Sequence, residues 1–399
     1  MGILESVGAI LRDGVRYLGF LLSFVVPRRS DRWVFGASNG HRFDGNSKYL
    51  FLYLHELASD DHEHVRPIWI SRDGGVIQEL SEAGFEAYPA SSLPGLYHTY
   101  RAKYVFVTHT LRDVCVPGTG GATVVNLWHA VPTKRVAWDT EVAVESLGAL
   151  GWAQKRLMYW TYDYVTTTAE SLVDIFAGAF RTEEEVVVVT GYPRNDALFE
   201  AFPGEMTGEH MHVLDEIRER VGGSSLVGYF PTWRTTAPGL DRKRFDPAAI
   251  ETSLEAAGAY LVVKFHPDAA SDIDISSRSR IIELPPTVDV YPLLRDIDVL
   301  VTDYSSIYAD FLLVDRPIIF YPYDLDSYVA EERGFYFPYE EYAPGPIARD
   351  LETFLERLDE TLRGTDGYAE DRDRVRDHFF DHVDGASSER VVQFVERSP

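Results

Sequence analysis

Val299-Leu300-Val301-Thr302-Asp303-Tyr304-Ser305-Ser306 runs from an apolar, β-branched stretch into a polar turn, and Ile307-Tyr308-Ala309-Asp310-Phe311-Leu312-Leu313 continues with helical spacing. A buried strand that delivers a polar turn into a helix is the unit of a parallel sheet covered by helices. Working outward, short β-branched runs alternate with longer helical stretches from Arg32 onward, which predicts an α/β fold. Strands are expected at Trp33 to Ala37, Arg66 to Ile70, Tyr104 to Thr108, Val124 to Trp128, Tyr164 to Thr168 and Val186 to Thr190 in the first half. In the second half they are expected at Leu226 to Phe230, Leu261 to Phe265, Ile281 to Leu284, Val299 to Thr302 and Ile318 to Tyr321. A chain of 399 residues exceeds one ordinary core, and the polar stretch Glu200 to Gly223 reads as the boundary between two domains, 31–205 and 206–399, or else as a helix of the second.

The remaining 1–30 form an arm whose apolar run, residues 17–26, is half the length of a membrane span. Arg12 and Arg16 before it and Pro27-Arg28-Arg29 after it suit an amphipathic helix lying on an anionic leaflet, a peripheral attachment at the cytoplasmic face. A helix packed on the first domain accounts for the same residues. Pro-Arg-Arg is no signal-peptide cleavage site.

Charge and cysteine usage narrow the function classes. With 63 acidic against 38 basic residues the formal charge is −25, which opposes nucleic-acid binding. Only six of the cations are Lys, and this acidic, Arg-biased balance is that expected of a high-salt cytoplasm. Cys115 is the sole cysteine, so no internal disulfide forms, and a reducing compartment and an inert thiol are expected. Gly118-Thr119-Gly120-Gly121 reads as a turn, because no helix pattern follows it.

In an open parallel sheet, ligands gather beyond the carboxyl ends of the strands. His129 follows the run Val124 to Trp128, and Lys134 and Arg135 come within six residues of it. A neutral imidazole there can take a proton from an attacking hydroxyl, while the cations hold an acceptor phosphate. A structural His beside a solvated charge pair fits equally. Asp303, Ser305 and Ser306 open a helix whose free N–H groups and hydroxyls can cradle a diphosphate, or else simply cap it. His266 can donate to a leaving phosphate, and Thr232 and Arg234 in Phe230-Pro231-Thr232-Trp233-Arg234 add a hydroxyl and a planar cationic fork. Arg194, Asn195 and Asp196 can line an inter-domain cleft or cap the next helix. No acidic or histidine cluster has metal-ligand spacing, so metal independence and no cofactor are expected. Ser305-Ser306 lies outside any Gly-x-Ser-x-Gly elbow, which removes a serine hydrolase.

Taken in order, Asn39-Gly40 with Asn46-Ser47-Lys48, Trp128-His129, Gly191-Tyr192-Pro193-Arg194-Asn195-Asp196, Pro231-Thr232-Trp233-Arg234, His266-Pro267, Thr302-Asp303-Tyr304-Ser305-Ser306 and Arg333-Gly334-Phe335-Tyr336 form a specific series. It resembles the CDP-glycerol:poly(glycerophosphate) glycerophosphotransferase family of teichoic-acid polymerases and primases. The resemblance implies a GT-B architecture, two Rossmann-like domains facing across a cleft, with the acceptor on the first and the nucleotide on the second. It implies transfer of a glycerol or ribitol phosphate from a CDP-activated donor to a lipid-linked or polymeric hydroxyl, with release of CMP. His129 is then the base, His266, Arg234, Ser305 and Ser306 serve the donor phosphates, and Glu340 and Glu341 hold the ribose. The family usually has Gly after Trp-His, where this chain has Ala130. A GT-B glycosyltransferase using a nucleotide sugar, or a membrane scaffold that binds polymer without turnover, are the rival readings.

Overall fold

The computed structural model describes residues 18–57, 65–140, 152, 155, 156, 159, 161–205, 209–232, 244–265, 273–331 and 334–398. Two all-parallel sheets organise them. The first has seven strands in the order β3-β2-β1-β4-β5-β6-β7: β1 Arg29–Phe35, β2 Arg66–Ser71, β3 Ala87–Pro89, β4 Ala102–Val107, β5 Thr123–Asn126, β6 Tyr164–Thr167 and β7 Val187–Val189. The second has five in the order β10-β9-β8-β11-β12: β8 Leu226–Tyr229, β9 Tyr260–Val263, β10 Ile281–Glu283, β11 Val299–Thr302 and β12 Ile318–Phe320. All eleven expected strands are present, and β3 is additional. In each sheet the chain runs outward from a central strand and then returns to build the other side. The order therefore reverses between β1 and β4 and between β8 and β11, and the strand ends there are where a doubly wound sheet receives its ligand.

The chain does not divide at one cut. Residues 1–129, 145–207 and 384–399 make one compact unit, and 130–144 with 208–383 make the other. The last helix, Ser387–Arg397, returns to the first unit because Val391, Val392 and Val395 complete the core built on Trp33, Phe35, Phe106 and Trp69. The second core gathers Val227, Leu261, Val301 and Ile319 from the strands with Phe354 and Leu358 from the helix Leu351–Leu362. Helix starts follow local chemistry: Asp73 Oδ1 accepts from Gly75 and Val76 N–H at 2.8 and 3.2 Å, and Asp246 caps a helix that opens on Pro247.

The glycine cluster after Cys115 has a packing role. A Cβ on Gly120 would lie 2.5 Å from both Phe20 O and Ser23 Oγ, so only glycine admits the helical turn at 18–23. Arg28 locks the same junction, its guanidinium donating to Thr99 O, Ala102 O, Gly118 O, Ser23 O and Gly120 O. Residues 1–17 of the expected arm lie outside the described residues. Cys115 is buried.

Candidate functional site

At the reversal point of the first sheet, the backbone leaves β1 through three left-handed residues, Ser38, Asn39 and Gly40 (φ 49°, 56° and 84°). One buried carboxylate gathers the turn: Asp113 Oδ1 accepts from Asn39 N–H at 2.7 Å, and Oδ2 accepts from Thr108 and His109 N–H at 2.7 and 2.8 Å. The next strand over, β5, ends at Leu127 and Trp128, where Trp128 has φ 52°, a left-handed setting unusual for a bulky residue. Asn46 pins that turn by donating from Nδ2 to Leu127 O and Trp128 O at 2.8 and 2.9 Å, while its Oδ1 accepts from Arg194 N–H at 3.2 Å. The strained backbone aims His129 toward the end of β4. Its Nδ1 lies 3.1 Å from Thr108 O. A carbonyl can only accept, so Nδ1 carries a proton, and in the neutral ring the lone pair lies on Nε2. That tautomer is the one a general base needs.

Arg194 is buried, and its guanidinium donates to His129 O, so it acts on the backbone that carries the imidazole. Ala130 is absent from the residues with positive φ, so its Cβ meets no backbone penalty where the family usually has glycine. The Asp196 carboxylate accepts from Ser387 and Ser388 N–H at 2.8 and 2.7 Å and so caps the last helix. Burial raises its pKa, and those serine hydrogen bonds oppose the rise. Asn195 beside it is buried as well.

At the reversal point of the second sheet, Asp303 ties the two central strand ends together. Its Oδ1 accepts from Thr232 N–H at 2.8 Å and from Tyr304 N–H at 2.5 Å, and its O accepts from the Tyr339 hydroxyl at 3.0 Å. Asp303 is therefore a buried staple between the two strand ends. Ser305 and Ser306 follow it half-buried, and Ser306 at the N-cap makes no side-chain cap bond. The helix they open, Ile307–Phe311, has only five residues, so an anion there would meet individual amides more than a long helix dipole.

Lys134 and Arg135 belong to the second unit, whereas His129 belongs to the first. Lys134 bridges to Phe335, and Arg135 N–H donates to Gly334 O at 2.9 Å. Lys134 Nζ stands 5.9 Å from the Tyr328 ring, which stacks on Tyr304 at 4.1 Å. Lys134 thus reaches, through Tyr328, the residue that precedes Ser305, while Arg135 lies beside Gly334. Glu340 and Glu341 are exposed and line a cleft of about 280 Å³ with Tyr368, Asp371 and Arg374. Glu340 pairs with Arg349 at 2.8 Å. Arg234 and His266 lie outside the described residues. Sequence reading missed Thr108, His109 and Asp113, although all three follow β4 and the rule about strand ends covers them.

A family model described as CDP-Glycerol:Poly(glycerophosphate) glycerophosphotransferase matches residues 18–397. The chain is 28% identical over 388 residues to a teichoic acid poly(glycerol phosphate) polymerase of Bacillus spizizenii, covering 94% of each. It is 26% identical over 393 residues to a teichoic acid glycerol-phosphate transferase of Staphylococcus aureus, covering 95% of this chain and 96% of that one. The solved wall teichoic acid polymerase TagF has the same fold, with a TM-score of 0.76 at 23% identity over 99% of this chain and 95% of that chain. More distantly, the S. aureus MnaA–UDP structure reaches 0.55 at 13% identity over 92% and 96% of the two chains. With the match running through both sheets and the motifs at both reversal points, the chain belongs to the CDP-glycerol:poly(glycerophosphate) glycerophosphotransferase family.

Proposed function

We propose that this chain transfers a polyol phosphate from a CDP-activated donor to a hydroxyl of a lipid-linked or polymeric acceptor. The acceptor hydroxyl gives its proton to His129 Nε2. Its oxygen bonds to the phosphorus bearing the polyol, the bond from that phosphorus to the CMP oxygen breaks, and CMP leaves. The observation that carries this reading is the Nδ1 contact to Thr108 O, which reserves Nε2 for the proton. Ser305, Ser306 and the Thr232 turn are assigned to the donor phosphates, and Lys134 and Arg135 to a phosphate of the acceptor. Arg234 and His266 are assigned there on their motifs, and Glu340 and Glu341 to the ribose.

The test is nucleotide release from CDP-glycerol, CDP-ribitol and UDP-sugars in high KCl with EDTA, with membranes as acceptor. CMP release despite the chelator supports the reading. UDP release turns it to a glycosyltransferase, and silence with every donor to a scaffold. His129→Ala should cost about 10²- to 10⁴-fold in turnover, and wild-type turnover would remove the base.

The same proposal includes peripheral binding to the cytoplasmic face of a membrane. Leu21 and Val25 are 63% and 79% exposed, and Leu18, Leu22 and Phe24 join them on the short arm that Arg28 holds in place. No helix among the described residues is long and apolar enough to cross a membrane. Leu21→Glu with Val25→Glu should abolish flotation with anionic vesicles, and unchanged flotation would detach the arm from this role. The net charge of −25 supports a high-salt cytoplasm, and equal Tm in dilute buffer and molar KCl would remove that origin.

A further inference from the structure

A second imidazole, unassigned by any motif, lies against the base. The His109 ring faces His129 with centroids 4.3 Å apart and planes 2° from parallel. Thr108 serves both rings, its O accepting from His129 Nδ1 and its Oγ1 lying 2.9 Å from His109 Nδ1. That Oγ1 also stands 3.4 Å from Asp113 Oδ2. A carboxylate must accept, so the hydroxyl proton points to Asp113 and Oγ1 receives the proton of His109 Nδ1. The backbone of His109 is fixed too: its N–H donates to Asp113 Oδ2 at 2.8 Å, and its O accepts from the Tyr162 hydroxyl at 3.3 Å. Among the described residues, the Asp113 carboxylate on the His109 N–H and the Arg194 guanidinium on His129 O are charged groups against the pair.

A hydrogen bond at one ring atom does not by itself fix the plane of an imidazole. A planar neighbour packed against its face removes that freedom. We infer that His109 is a positioning residue for His129: its ring, held by Thr108 on a backbone that Asp113 and Tyr162 fix, sets the plane of the base and so the direction of the Nε2 lone pair. This rests on the reading of His129 as the base. Small errors in such a direction cost rate far more than binding, because they spoil only the reacting geometry.

His109→Ala should lower kcat for CMP release about tenfold or more with donor KM within about twofold. His109→Phe, which keeps a flat face, should return kcat to within about threefold of wild type. His109→Leu, of similar volume without a planar face, replaces Ala should the cavity unfold the protein, and should behave as Ala does. Nitrogen NMR of labelled histidine should find His129 in one Nδ1–H tautomer in wild type and His109→Phe, and in a mixture in His109→Ala. Wild-type kcat and an unmixed tautomer in His109→Ala, or a Phe variant no better than Ala, would overturn the inference. If the wild-type protein releases no CMP from any CDP-polyol, the assignment of the reaction fails instead, and the NMR comparison still decides whether His109 orients His129.

Discussion

The two reversal points solve one topological problem in the same way and then diverge in chemistry. Each places a fully buried aspartate beyond a central strand, and each carboxylate ties loops that would otherwise splay: Asp113 gathers Asn39, Thr108 and His109, and Asp303 gathers Thr232 and Tyr304. What the staple presents differs. Asp113 fixes the segment that carries His109, whose ring stacks on His129, the pair proposed to handle the proton. Asp303 fixes a segment that continues into Ser305 and Ser306 at a helix start, the stretch proposed to receive the donor phosphates. One scaffold device thus supports two roles, and the role is set by the few residues next to the staple.

The comparison can be broken by removing the staples one at a time. Asp113→Ala removes the acceptor of three amides, that of Thr108 buried and those of Asn39 and His109 part-buried, and should cost roughly 3 to 5 kcal/mol in chemical denaturation, the largest stability effect expected at either point. Asp303→Ala strands two and should cost roughly 2 to 3 kcal/mol. Equal or reversed costs would mean that the carboxylates are not equivalent devices. A sharper division comes from function: Thr232→Ala leaves the Asp303 staple intact, because only the Thr232 backbone N–H donates to it. It should raise donor KM a few-fold by loss of one hydrogen bond of about 1 kcal/mol while leaving the denaturation midpoint within experimental scatter.

Strands were legible because a parallel sheet is buried on both faces and writes itself as short β-branched runs. The one missed, β3, is a three-residue edge strand ending in Pro89, a composition that reads as loop. His129 was legible as a residue at a strand end, but its orientation was not: the atom that fixes its tautomer belongs to Thr108, twenty-one positions earlier. Asp196 shows the same dependence on distant partners. In sequence it stands in a cluster of polar residues that suits a ligand, yet its partners are the amides of Ser387 and Ser388, 191 and 192 positions away. Sequence spacing reports what an element carries, and the partners come from which strands and helices the topology brings together.

The smallest expected effect concerns pH and the first unit's core. His55 sits on the helix Gly45–Leu57 with its ring 4.7 Å from Phe51 and 4.8 Å from Phe85. Its Nε2 is buried without a hydrogen-bond partner among the described residues. Burial lowers its pKa below the ordinary 6.5, with Glu86 opposing weakly. The folded state therefore binds this proton less readily than the unfolded chain, and stability held above pH 6.5 is lost as pH falls toward the depressed value. His98 in the first unit and His378 in the second are shifted the same way, so the wild-type slope is a sum. His55→Phe keeps an aromatic ring between Phe51 and Phe85 and removes the titration, so the free energy of unfolding should fall less steeply below pH 6.5 than in wild type. An unchanged slope would assign the acid sensitivity to His98 and His378, and would place part of it in the unit that carries the loop proposed to receive the donor phosphates.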